Sequence, residues 1–370
     1  MGIYKLFFNK AASLYSETPE MNTGKDEILE IGSYLSNVGE RAVVRSVVSF
    51  SKKELEDLLQ KVVGEVSYSA SLHLNLAEAS EIPTDFTIQV YPLAQEWTNG
   101  TGKFNDTPLN DTGVSWEYRL SEQNGPWLID NFPSNVTGSY GNLEPGGGAW
   151  FTELNGKEIE FNQEFELNDS LDVKVNITDA VKSIISGSLP NNGFLLKLEN
   201  DKDFGQILNT RLWFFSNETN SIYPPYLQIG WDDSIYTTGS LEELETTDIE
   251  VQVINLKNEY REKEVERLKL RARPRFPKRR FSTSSIYLNE YLLPPDTQWG
   301  IKNENTEEMV VDFSEEFTKI SCDESGPFFD LHMQGLQPEN YYRLLFKVPF
   351  NGLVKIYDKG NVFKVVRNGK

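Results

Sequence analysis

Side chains that could act as acids or bases near neutral pH are scarce, because this 370-residue chain contains two histidines. His73 lies on the polar side of an alternating segment, Ser69–Leu76, and is expected at the surface. His332 has no cysteine or second histidine at the spacing of a zinc site. The sequence has no Gly-x-Ser-x-Gly elbow, although a Ser-His-Asp arrangement of distant residues stays open.

The 56 aspartates and glutamates give little support to glycoside hydrolysis, because some pair would reach the required separation by chance. The glycine-rich loops that bind nucleotide phosphates are missing from the sequence. The lone cysteine, Cys322, excludes an intramolecular disulfide and is expected to fill space. We therefore expect no enzymatic activity and no cofactor. A structural Ca²⁺ stays open, with unknown ligands.

Four tryptophans, at positions 97, 116, 127 and 150, lie in segments rich in turn residues. Large aromatics in such sequence can stack on a sugar, anchor a partner protein or plug the end of a β-sandwich. Gly146–Gly148 precede the last tryptophan, and consecutive glycines permit positive φ angles or a close backbone approach. We expect a bulge or a loop that crosses a sheet there, in preference to a ligand cradle.

A basic stretch, Lys257–Phe281, holds 11 basic and 4 acidic residues. Apolar residues are interleaved with the charges, which is typical of a long strand with one charged face. We expect this stripe to dock an acidic protein or another copy of the chain, and a plain solvated face is the alternative. The basic residues of the predicted stripe are Arg267, Lys269, Arg271, Arg273, Arg275, Lys278, Arg279 and Arg280.

The formal net charge of −20 argues against binding to nucleic acid or to an anionic membrane, because neutralising phosphate requires lysine and arginine. Lys5 and Lys10 interrupt the apolar run near the start, so no signal peptide is expected. No apolar stretch is long enough to predict a membrane span.

Strand patterns dominate, and turn-rich loops separate them, which predicts an all-β fold. Further strands are expected at Gly193–Leu198, Thr210–Phe215 and Pro225–Trp231. Two short helices are also predicted. The first follows a capping box at Ser51 and stops at Gly64. The second is capped by Thr178 or Asp179, and Gly187 ends it.

The domain organisation follows from shifts in composition. Residues 236–247 are polar and acidic and are predicted to be a linker. Residues 1–235 would form the first domain, and residues 248–370 a smaller antiparallel β domain, immunoglobulin-like or fibronectin-like. Near its end, strands over Leu353–Asp358 and Asn361–Val366 are expected to be joined by a tight turn at Lys359–Gly360.

Residues 3–231 resemble a DNRLRE-type domain, a jelly-roll β-sandwich similar to carbohydrate-binding modules. The motifs that carry this resemblance are Trp97-Thr98, Ser115-Trp116, Asn176-Ile177-Thr178 with Val181, and the ending Phe214–Leu227. The resemblance implies that Trp97 and Trp116 fill the core of the sandwich. Trp127 and Trp150 lie outside the pattern and are expected to make an exposed contact, with a sugar or a neighbouring subunit.

The whole chain also resembles uncharacterised virion structural proteins of T4-like marine tailed bacteriophages. The segments that carry this resemblance include Tyr260–Ser285, Ser321–Val348 and the ending Phe363–Lys370. It implies a tail, neck, baseplate or fibre component of the virion, in contact with other virion proteins and with copies of itself. The alternative is a carbohydrate-binding module for host or cell-surface polysaccharide. A polysaccharide-degrading tail enzyme is a third, weaker alternative.

Overall fold

The computed structural model describes residues 2–36, 39–83, 85–120, 125–138, 146–166, 169–200, 203, 209–237, 239, 241–244, 246, 248–277, 291–350 and 352–367. The chain divides into two compact units. The N-terminal unit comprises Leu6–Val62 and Ser69–Gln228, and the C-terminal unit comprises Met1–Lys5, Val63–Tyr68 and Ile229–Lys370. The division therefore falls shortly before the predicted boundary at residue 235, and two short N-terminal segments belong to the C-terminal unit.

Strands account for most of the regular structure up to residue 231. They are β1 (Gly2–Phe7), β2 (Lys10–Tyr15), β3 (Ile28–Leu35), β4 (Arg41–Ser49), β5 (Tyr68–Leu74), β6 (Leu76–Ser80), β7 (Asp85–Pro92), β8 (Val136–Gly138), β9 (Ala149–Phe151), β10 (Glu153–Leu154), β11 (Lys157–Glu158), β12 (Asn162–Glu166), β13 (Val173–Asn176), β14 (Phe194–Leu198), β15 (Thr210–Phe215) and β16 (Tyr226–Trp231). The expectation of a sandwich-like all-β protein with two short helices is confirmed.

One eight-stranded antiparallel sheet dominates the N-terminal unit. Its order is β12-β7-β14-β4-β3-β15-β6, with β2 also paired to β4. A second sheet has the order β1-β16-β5-β13. Strands β5, β7 and β13 bury every second residue, as their alternating sequences predict. Strand β4 is buried on both faces after its first residue, so other parts of the protein cover both faces.

The two helices begin and end close to their predicted limits. In α1 (Lys52–Leu58), the Ser51 hydroxyl accepts a hydrogen bond from the Glu54 amide, and a π-helical stretch, Leu59–Val63, follows. In α2 (Thr178–Ser186), the residue at the N-cap is Ile177, so the predicted cap at Thr178 or Asp179 is wrong. The Thr178 hydroxyl instead accepts from the Ala70 amide and donates to the Asn176 side chain.

In the C-terminal unit, two larger sheets enclose one hydrophobic core. Its strands are β17 (Glu242–Glu243), β18 (Ile249–Val253), β19 (Glu259–Arg261), β20 (Val265–Pro274), β21 (Tyr291–Leu292), β22 (Gln298–Asn303), β23 (Met309–Val311), β24 (Ser321–Asp323), β25 (Gly326–His332), β26 (Tyr341–Phe350) and β27 (Leu353–Val366). The sheet orders are β18-β20-β25-β24 and β19-β27-β26-β22-β23.

This strand order is that of an immunoglobulin sandwich, with A-B-E-D in one sheet and G-F-C-C′ in the other when the strands are lettered along the chain. Trp299 lies in the core at the position of the strand-C tryptophan and stacks on Phe329, with ring centroids 5.0 Å apart. The Tyr342 hydroxyl donates to the Gln337 carbonyl at 2.8 Å, as in a tyrosine corner. The unit is not wholly antiparallel, because β19 pairs with β27 in parallel.

The hairpin predicted at Lys359–Gly360 is wrong. Strand β27 continues through these residues, and they form a bulge between the pairs Leu344–Asn361 and Leu345–Asp358, with Gly360 at φ +66°. The turn between β26 and β27 lies earlier and includes Gly352, at φ +83°. A glycine at this place favours a turn, but the positive φ of Gly360 serves a bulge inside one long strand.

The predicted linker at 236–247 is also wrong in its described part. The Thr237 amide donates to the Cys322 carbonyl at 3.0 Å, and the Tyr236 hydroxyl donates to the Leu293 carbonyl at 2.6 Å. Strand β17 pairs in parallel with β21. This acidic stretch is therefore built into the C-terminal unit.

Candidate functional site

The four tryptophans of the turn-rich segments pack in one buried cluster against the second face of the eight-stranded sheet. Trp97 and Trp116 lie in the core, as predicted. The expectation that Trp127 and Trp150 make exposed contacts is wrong, because they are 1% and 2% exposed. The indole N–H of Trp127 donates to the Ser115 carbonyl at 3.0 Å, so the polar end of the ring is also satisfied inside the protein.

Charged side chains lie beneath these tryptophans in a buried ion cluster, defined by Arg45 of β4, Lys197 of β14 and Asp203. Arg45 donates to both carboxylate oxygens of Asp203, from Nε at 3.2 Å and from Nη2 at 2.9 Å. The Nζ atom of Lys197 lies 3.2 Å from Oδ2 of Asp203. Each of the three side chains is at most 1% exposed. Two basic groups therefore share one carboxylate away from water.

Aromatic rings complete the surroundings of the two basic groups. The guanidinium carbon of Arg45 is 4.8 Å from the ring centroid of Trp116 and 5.2 Å from that of Trp150. The Nζ atom of Lys197 is 5.6 Å from the Trp150 ring and 5.9 Å from the Tyr91 ring. These are distances at which ring faces attract cations. Burial nevertheless dominates for Lys197 and lowers its pKa to about 8.

Gly147 closes the cluster from the loop side. Its carbonyl accepts from Arg45 Nη1 at 2.6 Å, and its amide donates to the Trp116 carbonyl at 2.5 Å. Its φ is +69°, and a Cβ atom there would lie 2.7 Å from both Arg45 and the Trp116 ring. The sequence predicts a bulge or a loop that crosses a sheet at Gly146–Gly148, and Gly147 lies against Arg45 of strand β4. The tryptophan cluster and the buried ion cluster are thus enclosed by protein and stabilise the loop on the sheet.

A second arginine lies among aromatic rings near the surface of the same unit, in what we name the aromatic platform: Tyr34, Arg211 and Trp213. Arg211 donates to both carboxylate oxygens of Glu30, at 2.5 and 3.0 Å. Its guanidinium carbon is 4.5 Å from the Tyr34 ring centroid and 5.0 Å from that of Trp213. Both rings are half-buried, and the arginine is 33% exposed. The aromatic platform can therefore be reached from solvent.

The described part of the predicted basic stripe lies on β20 and just beyond it, where charged and buried residues alternate as expected. Arg267 forms a two-point contact with Asp330 of β25, and Arg273 pairs with Glu250 of β18. Much of the positive charge is thus balanced by acids of the neighbouring strands. Five residues of the predicted stripe are described: Arg267, Lys269, Arg271, Arg273 and Arg275. Outside the described residues lie Lys278, Arg279 and Arg280.

Large apolar side chains are exposed at one end of the C-terminal unit. Phe276, just past the end of β20, is 78% exposed, and Leu353, at the start of β27, is 70% exposed. Val354 and Ile356 are also exposed. Among the described residues, β19 pairs with β27 only from Lys364 onward, so the stretch that carries these aliphatic residues has a strand partner on one side only. An apolar, open strand edge is a common site of protein association.

A cavity of about 400 Å³ opens in the same unit. Seven of its nine lining residues are leucine, proline or phenylalanine, but polar and apolar atoms share its surface almost equally, and Glu243 supplies the one carboxylate. The residues that line it are Tyr236, Glu243, Leu244, Leu292, Leu293, Pro294, Pro295, Pro349 and Phe350. Pro349 and Phe350 pair with Val354 and Leu353 across the β26–β27 hairpin, so the cavity is continuous with the exposed aliphatic residues. We name this cavity, together with Phe276, Leu353, Val354 and Ile356, the apolar end.

The apolar end was missed at the level of sequence, although partial signals exist. The Pro294–Pro295 pair has no role in an alternating strand pattern. Phe276 continues the alternation of Leu268, Leu270 and Ala272, but the strand ends before it, at Pro274. Arg45 and Lys197 were also missed. Each interrupts a continuous apolar run, and a charge there indicates a buried pair.

The two histidines and the cysteine have structural surroundings. His73 is half-buried, stacks on Tyr226 and hydrogen-bonds with Ser71. Burial lowers the pKa of His332 to about 4, so this ring is neutral near pH 7. Cys322 is buried, as predicted, and burial raises its pKa to about 11. Within the described ranges, no three side chains of the metal-ligating types come together, and no helix is long and apolar enough to cross a membrane.

Comparisons with known proteins give little further information. No family model matches the chain, and no curated protein matches it. Among solved structures, the chain is similar to a DUF4785 family protein from Legionella pneumophila, at 8% identity and a TM-score of 0.19. That match covers 99% of this chain and 66% of the other, so the chain spans just under two thirds of the length of that protein.

Proposed function

We propose that the chain is a non-enzymatic structural protein of a phage virion, a component of the tail, neck, baseplate or fibre, which acts through protein–protein docking surfaces. The apolar end is the observation that carries this proposal. Exposed aliphatic residues, an open strand edge and an apolar cavity coincide there. Such a surface favours association with protein over solvation. The resemblance of the whole sequence to virion proteins supports the virion as the place of assembly.

Localisation on particles tests the proposal. Antibody against the purified chain should label virus particles from the source at a regular position, and electron microscopy with gold conjugates would identify that position. Bare particles, with label on cells only, would contradict the virion role.

A matched pair of variants tests the surface. Replacing Leu353 and Ile356 by Asp should abolish incorporation into particles, because both exposed apolar side chains are lost. Lys355→Asp, between them on the same strand, changes the charge without removing apolar surface and should leave incorporation in place. Equal incorporation of the wild type, the double Asp variant and Lys355→Asp would exclude the apolar end as the docking surface.

Carbohydrate binding is the second candidate, and the aromatic platform is the observation that favours it. Half-buried aromatic faces beside fixed polar groups are typical of sites for ring-shaped polar ligands. Trp213→Ala should then abolish retention of the chain on host polysaccharide. Phe276→Ser, in the other unit, is the control and should leave retention unchanged. Retention that survives Trp213→Ala would rule out this site.

A further inference from the structure

We infer that the apolar end docks a second copy of this chain, with Phe276 of each copy seated in the cavity of the other. The inference rests on the proposed docking function and names the partner and the contact. It predicts a two-fold symmetric dimer, since the inserted residue and the receiving cavity belong to the same surface.

The inserted residue and the cavity lie at the same end of the C-terminal unit. The Arg275 amide donates to the Asp248 carbonyl at 2.9 Å, which joins the end of β20 to the start of β18. Strand β21, whose Leu292 lines the cavity, contacts β20, which Phe276 follows. A single face can therefore both offer Phe276 and receive it.

The size and chemistry of the cavity fit this segment. A cavity of about 400 Å³ has room for the aromatic ring and for part of the neighbouring residue. Phe276 is followed by Pro277, and the pair offers a flat apolar ring and a rigid apolar neighbour. The walls, built largely from leucine, proline and Phe350, match that surface.

Charge complementarity supports the same partner. Glu243 is exposed at the cavity and makes no ion pair with any described residue. Arg275, next to Phe276, is 64% exposed, and its nearest described carboxylate is that of Asp248, 4.0 Å away. In the inferred dimer, Arg275 of one copy lies beside Glu243 of the other, and the two-fold symmetry means that this pair occurs twice. Such pairs fix the orientation of a partner that the apolar contact holds.

Sedimentation velocity over a concentration series of the full chain tests the inference. The wild-type chain should form dimers, and Phe276→Ser should weaken dimerisation about tenfold or more, because the buried ring is lost. Ile254→Ser removes another exposed apolar side chain of the C-terminal unit and should leave dimerisation unchanged. A wild-type monomer at every concentration, or equal effects of the two variants, would overturn the inference.

A charge reversal tests the orientation. Glu243→Arg and Arg275→Glu should each weaken the dimer, and the double variant should recover most of the wild-type affinity. Single variants without effect, or a double variant weaker than both, would contradict the pairing.

Particle labelling distinguishes a failure of the inferred dimer from a failure of the proposed virion role. Labelled particles with a monomeric chain leave the structural role standing without the second copy, whereas dimers with bare particles leave the dimer without the virion role.

Discussion

Two arginines of the N-terminal unit have the same kinds of partner but differ in their exposure to solvent. Arg45 and Arg211 each donate to both oxygens of one carboxylate and lie against two aromatic rings. Arg45 is completely buried, whereas Arg211 is 33% exposed. The same chemistry is therefore closed off from water in one place and remains open to solvent in the other. Burial, more than residue type, separates the structural site from the candidate binding site.

The comparison also concerns charge. At the aromatic platform, one arginine meets one carboxylate, with the Tyr15 hydroxyl as a further donor to Glu30 at 3.0 Å. In the buried ion cluster, Arg45 and Lys197 share Asp203. Removing the carboxylate should thus have unequal consequences at the two sites, because water can reach only one of the arginines.

The largest effect is expected from Asp203→Asn. It removes the carboxylate that two buried basic groups share and should lower the free energy of unfolding by about 3–5 kcal/mol. The matched change at the open site, Glu30→Gln, should cost about 1–2 kcal/mol, because Arg211 keeps contact with water. Urea denaturation of both variants measures the difference. Equal losses would show that burial does not separate the two sites.

A smaller effect is expected at the loop that covers the cluster. Gly147→Ala should lower the free energy of unfolding by about 2–3 kcal/mol, because it combines a positive φ with a Cβ atom too close to Arg45 and Trp116. Gly156 has a similar φ, +75°, with nothing near its Cβ position. Gly156→Ala should therefore cost about 1 kcal/mol, which is the backbone strain alone. Thermal unfolding of Gly147→Ala and Gly156→Ala separates the cost of the positive φ from the cost of the close contacts. Equal losses of stability would exclude close packing at Gly147.

Sequence patterns predicted where strands and helices lie better than they predicted which side chains are buried. Thr210–Phe215 is a strand with the predicted limits, and the Ser51 capping box begins a helix. Period-two alternation and capping are local signals, so a single sequence carries them. The strand order of the C-terminal unit also agrees with the predicted immunoglobulin-like class.

The errors arose where long-range packing decides the outcome. Trp127 and Trp150 lie beside proline and glycine, which indicated exposed loops, but both rings are buried in a cluster with residues of β4. The same local signal at Gly360 indicated a turn, and the residue forms a bulge. Neither the covered face of β4 nor the pairing partner of Gly360 is encoded in the adjacent residues. The aromatic platform was missed for the same reason, since Tyr34 and Trp213 are far apart in sequence.

The most subtle expected effect concerns the pH dependence of stability. Burial lowers the pKa of Lys197 from 10.5 to about 8, so between these values the unfolded chain binds more protons than the folded chain. The free energy of unfolding should therefore rise with pH through this window. The stability gained in this way should be lost again as the pH falls through about 8. Arg211, which remains partly exposed, offers no comparable titration near these values.

Lys197→Met removes the titrating amine and with it this part of the pH dependence of stability. Between about pH 7.5 and about pH 9.5, the wild-type chain should gain on the order of 1–2 kcal/mol of unfolding free energy relative to the variant. Urea denaturation of both proteins at several pH values measures this difference. The contributions of groups that titrate alike in both proteins cancel when the two free energies are subtracted. Lys61→Met, on an exposed helical surface, is the control and should parallel the wild type. A pH-independent difference between wild type and Lys197→Met would mean that Lys197 is not held in a closed site, and that the two arginine sites differ less in solvent access than their geometry indicates.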